Sequence, residues 1–303
     1  MTMHWKRWGG LLATVVLWAA PLGAAGPAAA TSAEAALPSA TSSNAARQNA
    51  IQSIPWDKLD REGRAKVDSV LGNVTVFRRF PARVVSCDPD LYLFVVRHPD
   101  VVVNIWEVLG LSQLQLRQTG PDTYRVAENA GTSATLEFLC HANDTHVVYG
   151  QWSYTGPLLP RTIRGRCLAV LRSAYARAND GRYSITSRLD GFVTVEPAGA
   201  ELLTKALHPL VVKNADTNFV QTVGFVGSLS RTAEVNSRGL QRLAQRLMDV
   251  QPEVRRQFEQ VVAGVADRAA SLAAQDRKRP ATQLAGRPIG QSGQEPASRT
   301  ALQ

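Results

Sequence analysis

Apolar and polar positions alternate with a period of two through the middle of the chain. Leu114 and Leu116 alternate with Gln113, Gln115 and Arg117, and Tyr124 and Val126 follow a Thr119-Gly120-Pro121-Asp122 turn. Ala134, Leu136, Phe138 and Cys140 share one parity, with Thr135 and Glu137 on the other. Beyond the Asn143-Asp144 turn, Val148, Trp152 and Tyr154 take the same face, and Cys167, Ala169, Leu171 and Tyr175 continue it. Asn179-Asp180-Gly181 then turns the chain, and Tyr183, Ile185, Leu189, Val193 and Val195 return. Together with a β-prone run from Val74 to Val85, this predicts an antiparallel meander with one dry face and one wet face.

Helical spacing appears on either side of the meander. Asp88-Pro89 is a cap followed by the residue preferred at the first helical position, opening a short helix through Leu91, Tyr92, Phe94 and Val95. Pro99 opens a second, carrying Val102, Val103, Trp106 and Leu109 to a stop at Gly110. Ala200 to Leu207 is a further helical stretch. From Asp216, read as a cap, a longer helix keeps Phe219, Val220, Val223, Val226 and Leu229 on one face. Two amphipathic segments follow, one with Leu240, Leu243 and Leu247, the other from Val254 to Leu272.

The ends differ from this pattern. His4, Lys6 and Arg7 precede an apolar run from Gly9 to Ala25, and Ala28-Ala29-Ala30 offers a small-residue cleavage site. That predicts a signal peptide over 1–30, and so a periplasmic or secreted protein, with an uncleaved anchor as the alternative. Residues 31–50 are Ala-rich without aromatics and read as a disordered linker, with 51–73 as a lead-in segment. The folded domain is expected over 74–235, C-terminal amphipathic helices over 236–272 and a disordered tail over 273–303.

Composition narrows the function more than it defines it. The 303 residues carry 34 Lys and Arg against 25 Asp and Glu, a net charge of +9 that is spread along the chain, so it does not mark a nucleic-acid-binding protein. The densest group is Arg161, Arg164, Arg166 and Arg172; Arg166 and Arg172 share the expected outer face, where they would meet an anionic membrane surface or simply water. Phosphate-loop, zinc-protease, EF-hand and nucleophile-elbow motifs are missing. Nothing in the pattern supplies catalytic residues, a metal set or a cofactor. His141 and His146 bracket one turn, but without a third ligand they read as residues of an exposed turn. Cys87, Cys140 and Cys167 are expected as buried thiols; outside the cytoplasm a pair among them is the alternative.

The order of elements, the Asp88-Pro89 start after the first strand and the amphipathic helix from Asp216 resemble the START-like, polyketide cyclase-like helix-grip superfamily (SRPBCC) over about residues 74–235. The resemblance implies an α+β fold in which an antiparallel sheet wraps around a long C-terminal helix, with a cavity for an apolar ligand between them. Trp152, Tyr154, Leu171, Ile185, Leu189, Phe219 and Val223 would line that space. The expectation is therefore an exported, non-enzymatic binding protein for a lipid or similar apolar molecule. The alternatives are an envelope scaffold with a filled interior and a cyclase- or aromatase-type enzyme.

Overall fold

The computed structural model describes residues 37–129, 131–155, 162–196 and 208–278. The expected signal peptide, the helical stretch at 200–207, Arg161 and the tail beyond 278 lie outside them. The fold is α+β, built on one eight-stranded antiparallel sheet. Strands β3 (Gln115–Gln118), β4 (Thr123–Ala127), β5 (Thr132–His141), β6 (Thr145–Tyr154), β7 (Ile163–Arg177) and β8 (Tyr183–Val195) form the expected six-stranded meander.

The β-prone run from Val74 to Val85 divides in two. β1 (Val76–Arg79) and β2 (Arg83–Ser86) both pair with the outer edge of β8, Val76 opposite Val193 and Arg83 opposite Ser187. Pro81 lies between them, and a residue without an N–H interrupts a ladder.

Helices α3 (Pro89–Arg97) and α4 (Pro99–Val108) follow β2 as the sequence predicts. Asp88 Oδ1 accepts from the N–H groups of Asp90 and Leu91, at 3.0 and 3.3 Å, which is the N-cap geometry. Gly110, at φ 70°, stands just past the end of α4, where the left-handed region suits glycine.

The long C-terminal helix α5 (His208–Ala244) begins before Asp216. Asp216 is therefore not its cap; its carboxylate instead accepts Arg78 Nε of β1 at 3.0 Å, tying the helix to the sheet edge. At Asn236 the backbone leaves the helical region (φ −146°, ψ 49°), and Asn236 Oδ1 accepts from Gly239 N at 3.1 Å. Asn236 thus caps the second part of α5. The last helix, α6 (Pro252–Lys278), packs along α5 and reaches α3, where Phe258 stacks on Phe94 with centroids 5.8 Å apart. Leu240, Leu247, Val254 and Phe258 belong to the same apolar cluster as the sheet, so 236–272 is part of the domain's own core. None of the described helices is long and apolar enough to cross a membrane.

The outer face of the sheet is not wet throughout. Phe77, Val147, Tyr149, Leu168, Val170 and Phe192 point outward and are buried under α1 (Asn44–Gln52) and α2 (Arg61–Leu71), which contribute Ala46, Ala50, Val67 and Val70. From residue 37 on, this corrects the reading of 31–50 as a disordered linker; 31–36 lie outside the described residues. The chain from Pro38 is already engaged: Thr41 exchanges both backbone hydrogen bonds with Arg79, at 3.0 and 2.8 Å. Small alanines let α1 approach the sheet closely, which a count of bulky side chains does not reveal.

A buried ion triad holds this outer layer. Asp190 of β8 is fully buried and accepts Arg79 Nε at 2.6 Å, Arg79 Nη2 at 3.1 Å and Arg172 Nη2 at 3.2 Å. The same guanidinium groups reach α1, Arg79 to Asn49 Oδ1 at 3.1 Å and Arg172 to Ser53 Oγ at 2.7 Å. On α2, Lys66 meets Glu137 of β5 at 2.7 Å.

Candidate functional site

The inner face of the sheet, closed by α3, α4, α5 and α6, carries the seven residues expected to line a cavity. Trp152 and Tyr154 lie on β6, Leu171 on β7, Ile185 and Leu189 on β8, Phe219 and Val223 on α5. All seven are buried and belong to one apolar cluster. A cavity of about 700 Å³ and another of about 410 Å³ among the described residues both lie outside this interior.

Trp152 owes its position to a glycine. Gly165 sits opposite Trp152 on β7, and a Cβ there would stand 2.5 Å from the indole ring and 2.3 Å from the Thr194 carbonyl oxygen. Gly165→Ala is expected to destabilise the protein by about 1–3 kcal/mol, because neither a ladder carbonyl nor a buried ring can give way freely. A thermal melt within error of the wild type would show that the indole is free to move.

The two ends of the interior differ in their polar chemistry. Toward the β5–β6 hairpin, the Tyr92 hydroxyl of α3 lies 2.7 Å from Ser173 Oγ and 2.8 Å from Ser187 Oγ, a buried group whose partners are all supplied. Burial raises the Tyr92 phenol above its ordinary value. At the opposite end, Trp152 Nε1 and Thr132 Oγ1 are buried without a hydrogen-bond partner. Thr132 pairs with Tyr154 and Ala134 with Trp152, so the two unpartnered groups are diagonal neighbours on the inner face. Such groups cost about 1–3 kcal/mol each when left unpaired in an apolar interior.

Histidines gather at the hairpin end, contrary to the reading of an exposed turn. A β-bulge between Phe138 and Cys140 shifts the register of β5, so that His141 pairs with His146. Their rings lie 5.8 Å apart, His141 stacks on Phe138 at 4.4 Å, and its Nε2 is 2.9 Å from Asp122 Oδ1. His146 is 1 % exposed, and neither ring nitrogen has a partner. Burial lowers its pKa to about 4, assisted by His141 and Arg97. Burial also lowers His98 and His141. Among the described residues no group of three or more His, Cys, Asp and Glu is arranged to hold a metal.

The same bulge corrects the placement of Cys140, which turns to the outer cluster beneath α1 and α2 while Cys167 stays inside. All three cysteines are free and buried. Burial pushes the Cys87 and Cys167 thiols up to about 12, which keeps them protonated and unreactive. Asp100, in the first turn of α4, is, like Asp190, a buried carboxylate that the sequence did not single out. It is 0 % exposed, neither oxygen makes a well-aligned hydrogen bond, and burial raises it to about 6. The N–H groups of Asp100 and Val101 pull that value back only in part.

Arg166 and Arg172 share the outer face as expected, but not as one exposed patch. Arg172 is held by Asp190 and Ser53 under α1, whereas Arg166 remains exposed.

No protein-family model matches the chain, and no curated protein matches it in sequence. Among solved structures, a hypothetical protein from Helicobacter pylori is similar at a TM-score of 0.32 and 10% identity, over 48% of this chain and 84% of that one. A protein from Rhizobium loti is similar at 0.27 and 15% identity, over 47% and 97%. The di-domain ARO/CYC protein BexL is similar at 0.30 and 19% identity, over 53% and 52%. The sheet closed by a long C-terminal helix is by itself a helix-grip-like α+β arrangement.

Proposed function

We propose that this is an exported, non-enzymatic binding protein of the bacterial envelope that holds an apolar ligand bearing an oxygen acceptor between the sheet and α5. The observation that carries the reading is the pair of buried, unpartnered donors, Trp152 Nε1 and Thr132 Oγ1, side by side on an otherwise apolar face. A carbonyl or ester oxygen at that point would satisfy both, while Tyr154, Leu171, Ile185, Leu189, Phe219 and Val223 surround the hydrocarbon. The protonated thiols, with no partnered nucleophile and base on this face among the described residues, favour binding without turnover.

The test is a titration of intrinsic fluorescence with a steroid ketone and, separately, a long-chain fatty acid methyl ester. A saturable change in emission is expected for the wild type and its loss in Trp152→Phe. Thr132→Val is expected to raise the melting temperature of the free protein while weakening binding about tenfold, since it removes both an unpaired hydroxyl and a ligand contact. No saturable response to either probe would overturn the reading. It would favour the scaffold alternative, which finds its own support in the near-complete burial of all seven residues.

A further inference from the structure

The outer face of the sheet is only half covered. Beyond the end of α2 at Asn73, a cavity of about 700 Å³ opens on that face, across β4 to β8. Its floor is the backbone of one register row, Val126, Ala134, Trp152, Gly165 and Val195, whose side chains point to the other side.

The rows on either side of that floor are polar. One runs Arg125, Thr135, Gln151, Arg166 and Thr194 across successive strands; the other runs Ala127, Ser133, Ser153 and Arg164. Arg125, Arg164 and Arg166 are exposed, and none of them makes a side-chain hydrogen bond or an ion pair among the described residues. Elsewhere on the same face, Arg79 and Arg172 are paired with Asp190, and Arg188 beside them is half-buried. Arg125, Arg164 and Arg166 all line this one cavity, with Glu196 as the carboxylate at its β8 side.

We propose that this cavity is a second binding site, separate from the apolar interior, for an acidic oligosaccharide. Three strand steps separate Arg125 from Arg166, roughly 14 Å at about 4.8 Å per step. A single small anion cannot engage both guanidinium groups at that separation, but a chain carrying several carboxylates can. Between them, Thr135, Ser133, Ser153 and Gln151 offer hydroxyl and amide groups that both donate and accept, which matches sugar hydroxyls. Arginine forks supply the geometry that carboxylates take up in paired hydrogen bonds.

A membrane surface fits less well. The site is concave, and the exposed large apolar residues, Val84, Leu109, Val235 and Met248, all lie outside its lining, so nothing there would insert into lipid.

Calorimetric titration of the full chain at low salt tests the proposal, with a hexamer of galacturonate as probe. Neutral maltohexaose, inorganic pyrophosphate and phosphatidylglycerol vesicles serve as comparisons. Saturable binding of the acidic hexamer is expected, weakened at least tenfold in Arg125→Ala and in Arg166→Ala, and unchanged in Arg231→Ala on α5. Glu196→Gln is expected to tighten it. Each variant should melt like the wild type, because all three arginine side chains and Glu196 are exposed. Pyrophosphate bound as tightly as the hexamer would overturn the proposal, as would hexamer binding indifferent to Arg125 and Arg166. Vesicle binding that depends on these arginines without hexamer binding would instead assign the face to a membrane. The steroid and ester titrations are independent of all these outcomes, because their residues face the other side of the sheet.

Discussion

Asp190→Ala is expected to cost about 3–5 kcal/mol of folding stability, read as a lowered urea midpoint at unchanged slope. The carboxylate is fully buried and is shared by Arg79 and Arg172, so its removal leaves two guanidinium groups without their counter-charge under α1. The loss should not stay local. Arg79 and Arg172 are also the groups that hold Asn49 and Ser53, so amide protons of α1 should exchange faster in the variant than those of β7. A cost below about 1 kcal/mol would mean that the arginines swing out to water and that α1 is held by its alanines alone.

The second large effect is a pH dependence that two residues hide from each other. For Asp100, the folded-state pKa of about 6 lies above the ordinary 3.8, so its favourable contribution is complete below pH 3.8 and is lost as pH rises through 6. For His146, the folded-state pKa of about 4 lies below 6.5, so stability is complete above pH 6.5 and is lost as pH falls toward 4. Each displacement is worth on the order of 3 kcal/mol, and the two act in opposite senses between pH 4 and 6. Asp100→Asn should therefore be more stable than the wild type at pH 7 and should lose stability steeply on acidification to pH 4. His146→Leu should show the reverse slope, gaining stability as pH falls from 6 to 4. Chemical denaturation at half-unit pH steps checks both. Parallel profiles for the two variants would mean that neither residue titrates as its burial dictates.

The inward parity of the strands was legible because period-two alternation survives any amount of tertiary packing. Ala134, Leu136 and Phe138, then Val148, Trp152 and Tyr154, fall inside as read. The outer layer carried its own signal, which alternation alone overlooks. Val147-Val148-Tyr149 and Cys167-Leu168-Ala169-Val170-Leu171 are continuous apolar runs, which mark strands covered on both faces. The matching helix α1 escaped because its contacts are through Ala46 and Ala50, residues equally at home in a loose linker. Register is harder still. The extra residue near Leu139 has no sequence signature, and it turned Cys140 outward and brought His141 level with His146. The unpaired donors of Trp152 and Thr132 depend on what surrounds them, which no local pattern encodes.

β1 and β2 share the edge of β8, so the sheet ends on that side in two strands of four residues each, with Thr41 bridged to Arg79. The meander's other border is β3, only four residues long. Arg117 on that strand is tied to Asp249 in the connection between α5 and α6, and α4 packs beside it. A short, charged edge offers little template for another chain's strand. The protein can thus keep a wide, strongly apolar sheet at high concentration without growing into ribbons, and truncations that expose β8 should be the ones that aggregate.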